Sequence, residues 1–275
     1  MKIVFFGTPE YVLPIVKVLP NLTAIITKKL TKSPIEEWAV KNKVKIIYDL
    51  ENIPKADLGI VAAYGKIIPD KVIKNCKFGI INIHPSLLPK YRGASPVQEA
   101  IKNGDEATGV TFIKMDKEID HGPIIASFKE KILNTDTTDS LRKRLFKKAS
   151  KFIIDLIPNY VNKKIKLTPQ NHKLGNYTLP LVKKDGFIDL NKTTPIKADR
   201  HIRAMYPWPI SWTYVQLTDD SKSVTNRRLK IIKAELKKSS INHHSLSIKL
   251  VQLEGKKPVT WKQFKEGYPD FSFSS

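Results

Sequence analysis

The stretch Gly79-Ile80-Ile81-Asn82-Ile83-His84-Pro85-Ser86-Leu87-Leu88-Pro89-Lys90-Tyr91-Arg92-Gly93 ends an apolar run with an amide and an imidazole two residues apart. An extended chain repeats every second residue, so a strand over 79–84 puts Asn82 and His84 on one face and Ile81 and Ile83 on the other. An uncharged hydrogen-bond donor and a ring that can carry a proton are then aimed the same way. Pro85 cannot continue a ladder. The Leu87-Leu88-Pro89 turn sets apolar side chains beside the two polar ones, as a small-molecule pocket requires.

Such a pair needs a scaffold, and the sequence around it has a regular rhythm. Lys2 to Phe6 is an apolar run ending in Gly7, and Thr8-Pro9-Glu10 reads as an N-cap, a proline at the first helical position and an acid in the first turn. Further apolar strands are expected at Thr23–Thr27, Val44–Tyr48, Leu58–Ala63 and Phe78–Ile83, with Ser33-Pro34-Ile35-Glu36 opening a helix as a capping box. Strands alternating with helices predict an α/β fold, a Rossmann-like, doubly wound and mostly parallel sheet. Gly7-Thr8-Pro9-Glu10 lacks the glycine pattern that cradles a dinucleotide pyrophosphate. Ligands in such sheets sit at the carboxyl ends of strands, so the loops Gly7–Glu10, Ala63–Pro69 and Asn82–Pro89 should converge.

Downstream, Ser95-Pro96 opens another helix, and antiparallel strands are expected near 109–115 and 124–132. A long basic helix carrying Leu141, Leu145, Phe152 and Leu156 on one face should stop before Pro158. Lys-rich and Pro-containing sequence then suggests a boundary: a catalytic domain over 1–162, a linker over 163–175 and a β-rich carboxyl-terminal domain over 176–275. In that last part a helix is expected over Ile196–Ala204, with Trp208 and Trp212 as packing residues.

At 275 residues, with 27% charged and 41% hydrophobic residues, the chain is globular in composition. Its apolar runs are too short to span a bilayer and the amino terminus does not read as a signal peptide, so a cytoplasmic protein is expected. One cysteine, Cys76, excludes an internal disulfide and reads as a buried structural thiol. His243-His244 has no Cys or second spaced His nearby, and no metal is expected. The 48 Lys and Arg against 26 Asp and Glu give a net charge of +22, which favours a polyanionic partner.

The Gly79–Gly93 string is similar to the signature of the folate-dependent formyltransferases, and Gly109-Val110-Thr111 through Met115-Asp116-Lys117-Glu118-Ile119-Asp120-His121-Gly122-Pro123-Ile124 resembles their second motif. In that family the strand-end Asn and His act with an Asp, which falls here on Asp120, 36 residues after His84. The resemblance implies formyl transfer from 10-formyltetrahydrofolate to an amine, without a metal. Asn82 would stabilise the formyl oxygen as charge develops on it. His84 would donate a second hydrogen bond and shuttle a proton under the control of Asp120. The folate would be lined by Tyr64, Gly65, Lys66, Ile67 and Ile68, by Ser86, Leu87, Leu88 and Pro89, and by Met115, Asp116 and Ile119.

The second half, with Arg203-Ala204, Pro207-Trp208-Pro209 and Leu253-Glu254-Gly255-Lys256-Lys257-Pro258, resembles the OB-like carboxyl-terminal part of family members acting on tRNA. That implies a monomeric enzyme of translation initiation whose partner is charged initiator tRNA, with Lys28, Lys29, Lys32, Arg92, Arg227 and Arg228 as candidate contacts. The basic segment Lys28–Lys32 and the region between Lys233 and Leu250 are both short for that branch. An amino-sugar nucleotide N-formyltransferase and a non-catalytic RNA-binding relative are therefore the alternatives.

Overall fold

The computed structural model describes residues 1–30, 33–218, 224–238 and 244–274. The chain forms two compact units. The first comprises Met1–Pro96, Glu106–Ile132 and Ser140–Leu179; the second comprises Val97–Asp105, Leu133–Asp139 and the chain from Pro180 onward.

The first half of the chain contains β1 (Ile3–Phe6), α1 (Leu13–Val16), β2 (Leu22–Ile26), α2 (Pro34–Lys41), β3 (Lys45–Ile47), β4 (Leu58–Val61), α3 (Asp70–Lys74) and β5 (Ile80–His84). They are followed by β6 (Arg92–Gly93), α4 (Pro96–Asn103), β7 (Ala107–Lys114), β8 (Ile124–Lys131), α5 (Thr138–Val161) and β9 (Tyr177–Thr178). Seven strands form a sheet in the order β3-β2-β1-β4-β5-β7-β8. The first five are parallel, whereas β7 and β8 are antiparallel. All four residues of β1 are buried, which is why its sequence is continuously apolar rather than alternating. Strand order reverses between β1 and β4, the usual position of a ligand crevice in such sheets.

Ser33 caps α2 by accepting from Glu36 N at 3.3 Å, but the Glu36 carboxylate accepts from the Tyr48 hydroxyl instead of closing a box. Thr8 does not cap a helix. Its hydroxyl accepts from Thr27 Oγ1 and Lys28 N, tying the end of β1 to the end of β2. The chain after Pro9 therefore starts as a short 3₁₀ turn at Glu10–Val12. Pro158 does not stop α5, because its missing N–H forfeits one bond in a last turn that then runs on to Val161. Leu141, Leu145 and Leu156 are buried as expected, while Phe152 stacks on Phe112 at 5.2 Å with part of its ring exposed.

The second unit holds α6 (Pro195–Met205), β10 (Ser211–Thr218), β11 (Val224–Lys238), β12 (His244–Leu253), β13 (Val259–Thr260), α7 (Trp261–Gly267) and β14 (Ser272–Ser274). Its five strands are antiparallel, in the order β13-β12-β11-β10-β14. Along β10 the residues Ser211, Thr213, Val215 and Leu217 point inward while Tyr214, Gln216 and Thr218 are exposed, the alternation of a sheet covered on one face. Val215, Leu217, Leu229, Val251, Leu253 and Phe264 make its core. Trp208, expected to pack, is 51% exposed.

Residues 133–139, expected in the catalytic domain, group with this unit because Arg203 donates to Asp136 O and Thr138 Oγ1 donates to Ala204 O. Conversely, within 163–175 Thr168 pairs with Ile124 and Gln170 is buried, and the segment groups with the first unit. Among the described residues no helix is long and apolar enough to cross a membrane.

Candidate active site

At the carboxyl end of β5 the side chains of Asn82 and His84 reach the same carboxylate. Asn82 Nδ2 donates to Asp120 Oδ1 at 2.7 Å, and His84 Nδ1 lies 3.4 Å from Asp120 Oδ2. The period of two expected from the sequence is what lets one group serve both residues. His84 Nε2 is 2.8 Å from the Tyr91 carbonyl, which can only accept, so Nε2 carries the hydrogen and Nδ1 is the atom turned toward Asp120. The His84 and Asp120 side chains are only 5% and 11% exposed, and Asn82 is half-buried. This is a nearly dry site, where hydrogen bonds are stronger than in water.

The turn after β5 is held internally. Thr111 Oγ1 donates to Ser86 O and accepts from Leu88 N, and Ser86 Oγ donates to Lys90 O. Tyr91 and Asp120 both adopt positive φ, 61° and 50°. The Tyr91 N–H donates to Asn176 Oδ1 at 2.7 Å, and Gly93 N–H donates to Asp120 Oδ2 at 2.7 Å. Gly93 sits at φ 94° with its α-carbon against the Thr178 carbonyl, and a β-carbon there would lie 2.4 Å from that oxygen. Only glycine fits. Asn176, Thr178 and Gln170 were not among the candidate site residues, and Gly93, the last residue of the first motif, carried no expected role.

The expected folate-lining residues divide by exposure. Tyr64 and Ile68 are buried in the core beside Phe6, and Ser86 and Leu88 are also buried. Gly65 and Lys66 are exposed, Ile67 is 77% exposed and Ile119 is 54% exposed. Leu87, Pro89, Met115 and Asp116 are partly buried, and Asp116 pairs with His121 Nδ1 at 2.8 Å. The buried side chains serve packing, so any ligand contact at those four positions is left to the main chain or to the edge of the ring.

The expected tRNA contacts fare unequally. Lys28 Nζ donates to Gly65 O at 3.1 Å, Lys29 is exposed, and Lys32 lies outside the described residues. Arg227 is exposed and donates to Glu254 O, and the Arg228 guanidinium lies 4.5 Å above the Trp212 ring. Arg92 is a correction: it is 2% exposed, with its guanidinium spent on Gln170, His172 and Tyr177, and it presents nothing to an outside phosphate. Among the described residues no group of three or more His, Cys, Asp or Glu side chains is arranged to hold a metal ion.

Comparison with known proteins gives this geometry a family. The family described as Formyl transferase matches residues 24–157, and Formyl transferase, C-terminal domain, matches residues 180–269. The methionyl-tRNA formyltransferase of Legionella pneumophila (strain Paris) is 33% identical over 236 residues, covering 78% of this chain and 75% of its own. That of Methylacidiphilum infernorum is 32% identical over 308 residues, covering 97% and 95%. Among solved structures, an N-formyltransferase from Helicobacter canadensis in complex with folinic acid and dTDP-3-aminofucose superposes with a TM-score of 0.67 at 19% identity, covering 94% of this chain and 98% of that one. With both halves matched and relatives of this identity aligned over most of their length, the chain belongs to the formyl transferase family, the folate-dependent N-formyltransferases.

Proposed function

We propose that this enzyme transfers the formyl group of 10-formyltetrahydrofolate to the amino group of methionyl-tRNA. The observation that carries the chemistry is the sharing of one nearly buried carboxylate, Asp120, between the Asn82 amide and the His84 imidazole. The donor set suits a folate-borne formyl group: an uncharged amide, an imidazole and a carboxylate meet at a strand end, and Ile67 and Ile119 expose apolar surface on the loops nearby in sequence. Bound 10-formyltetrahydrofolate supplies an activated formyl carbon and, on leaving, takes up the proton that the amine gives up.

The protein's own part is to stabilise charge and hold that proton. Asn82 has two N–H groups. With one committed to Asp120, the other can donate to the formyl oxygen as negative charge develops there, from a position fixed before reaction. With Nε2 anchored on Tyr91, His84 can donate from Nδ1 to the same oxygen only when that nitrogen also carries a proton, and its 3.4 Å separation from Asp120 leaves the ring free to make that bond. An ionised carboxylate has about four lone-pair directions. Asn82 and Gly93 engage two and His84 Nδ1 faces a third at 3.4 Å, leaving a direction from which Asp120 can accept the amine's proton, directly or through water.

The acceptor is inferred from the relatives' activity over both halves of the chain and from the +22 charge. In the second unit, Arg228 and Lys230 of β11 lie directly opposite Tyr214 and Trp212 of β10, a combination suited to phosphates and exposed bases, and Arg227 is exposed from the other face of the strand. The test is an assay with 10-formyltetrahydrofolate that compares charged initiator tRNA with amino-sugar nucleotides. Formylated methionyl-tRNA is the expected product. A formylated sugar with no tRNA product would overturn the acceptor and leave the chemistry standing.

A further inference from the structure

Asp120 holds its carboxylate in place from a left-handed backbone conformation, φ 50°, which persists in a non-glycine residue only where the surroundings impose it. The side chain that grips this backbone, Gln170, lies outside both sequence motifs. Gln170 Nε2 donates to Asp120 O at 2.9 Å and to Gly122 O at 2.8 Å, gripping the carbonyls on either side of His121. Gln170 Oε1 accepts from Arg92 Nη2 at 2.7 Å and from Arg92 Nε at 3.2 Å. The next residue, Gly93, donates its N–H to the Asp120 carboxylate. The chain of contacts closes on itself: carboxylate, Gly93, Arg92, Gln170, and back to the Asp120 carbonyl.

Two further contacts stiffen it. His172 stacks on His121 with ring centroids 3.8 Å apart and planes 6° from parallel, and its Nδ1 accepts from Arg92 at 2.9 Å. Gly122 packs closely on the Lys114 backbone, since a β-carbon there would lie 1.9 Å from Lys114 O. Arg92 and Gln170 are 2% and 5% exposed, so water does not compete for these bonds. Glutamine is the side chain the place requires: one end must donate to two carbonyls while the other accepts from a guanidinium. Glutamate would set a carboxylate against two carbonyl oxygens, and an apolar residue would leave the guanidinium without its acceptor.

We propose that Arg92 and Gln170 are a positioning pair for the reaction, locking the Asp120 backbone so that its carboxylate stays between Asn82, His84 and Gly93. The proposal rests on the formyl-transfer reading of Asp120. It reassigns Arg92 from the acceptor to the catalytic carboxylate.

The full-length enzyme is assayed as Gln170→Leu, Gln170→Glu, Asp120→Asn and the double variants combining each Gln170 change with Asp120→Asn, with melting temperatures recorded alongside. Gln170→Glu keeps the side-chain volume and an acceptor for Arg92 and loses only the donor to the two carbonyls, so it perturbs the fold less than Gln170→Leu and decides the matter if that variant unfolds. The expected result is a fall in kcat of about 10- to 10²-fold, the cost of misplacing a catalytic group by roughly an ångström, with KM for the folate donor unchanged and the pH–rate profile displaced. Added to Asp120→Asn, either change should lower the rate no further, because both act through one group. A retained kcat in Gln170→Glu, or a loss that multiplies that of Asp120→Asn, overturns the positioning role. Normal turnover in Asp120→Asn alone overturns instead the catalytic reading on which it stands.

Discussion

The end of β5 and the outer face of β10 and β11 handle polar groups in opposite ways. Around Asp120 the nearby donors have fixed partners at fixed distances: Asn82, Gly93, Gln170 and Arg92 are each bound to a named oxygen. Along β10 and β11 the side chains of Tyr214, Gln216 and Asn226 stand exposed on one face, Arg228 rests on the ring of Trp212, and Arg227 is exposed from the opposite face of β11. The first arrangement suits chemistry, since a group that must meet developing charge gains most when it needs no reorganisation. The second suits attraction to a polyanion, since counterion release asks for accessible cations and not for exact geometry. The difference teaches that this chain concentrates fixed polar geometry at one strand end and accessible polar and basic side chains on another sheet, the division that the proposed reaction and acceptor call for.

That contrast breaks most visibly at Asn82. Asn82→Ala should slow turnover by about 10²-fold or more with little change in folate affinity, the usual cost of one lost oxyanion donor. Near-normal turnover in steady-state kinetics would remove the reason for the rigid end. At the other region, affinity for charged initiator tRNA should fall by about 10³-fold between about 50 and 200 mM salt if roughly six phosphates are contacted. Replacing Arg227 and Arg228 together should weaken tRNA binding in a filter assay and flatten that salt slope, while folate binding is unchanged; an unaltered slope would show that the exposed face is not the one used.

Smaller effects sharpen the comparison. Gly93→Ala forces a β-carbon onto the Thr178 carbonyl at a positive φ, and should cost about 1–3 kcal/mol in denaturant unfolding as well as activity. An equivalent Gly255→Ala change in the second unit meets no atom within 4 Å and should cost only the backbone strain of its φ of 76°. Smallest is a pH effect at Cys76, whose thiol burial pushes up to about 11 from 9.0. Because the folded state holds this proton more tightly than the unfolded one, the contribution is complete below about pH 9 and is lost as pH rises toward about 11. Unfolding midpoints at the two ends of that window should converge slightly more in Cys76→Ala than in the parent; an identical difference would show that the thiol is not held in the closed core.

Much of the first unit could be read locally. Asn82 and His84 declare themselves because a strand's period and a following proline are short-range signals, and Asp120 because it sits in a contiguous motif. The partners of Asp120 could not be found that way. Gln170 reaches it across 50 residues, and Thr178 meets the Arg92 carbonyl across 86, so no local pattern carries either contact. Arg92 misled for the same reason: an arginine in a polar turn looks like surface until the residues that bury it are known. Thr8 has the spacing of a helix cap, yet tertiary packing offered its hydroxyl a better donor on β2. Pro158 looked like a stop, but so near a helix end it has little left to break.

The dependence of the site on Gln170, Asn176 and Thr178 bears on when, during synthesis, this chain becomes an enzyme. By the time residue 120 has left the ribosome, Asn82, His84 and Asp120 are all present, and the seven-strand sheet is complete once residue 131 follows. Those residues supply Asn82 and Gly93 as donors to the carboxylate, but not the Gln170 grip on the Asp120 and Gly122 carbonyls. The clasp closes only after about fifty more residues have emerged and the 170–178 segment has folded back beside Arg92, so under the positioning role proposed for Gln170 a nascent chain completes its sheet well before its carboxylate is locked.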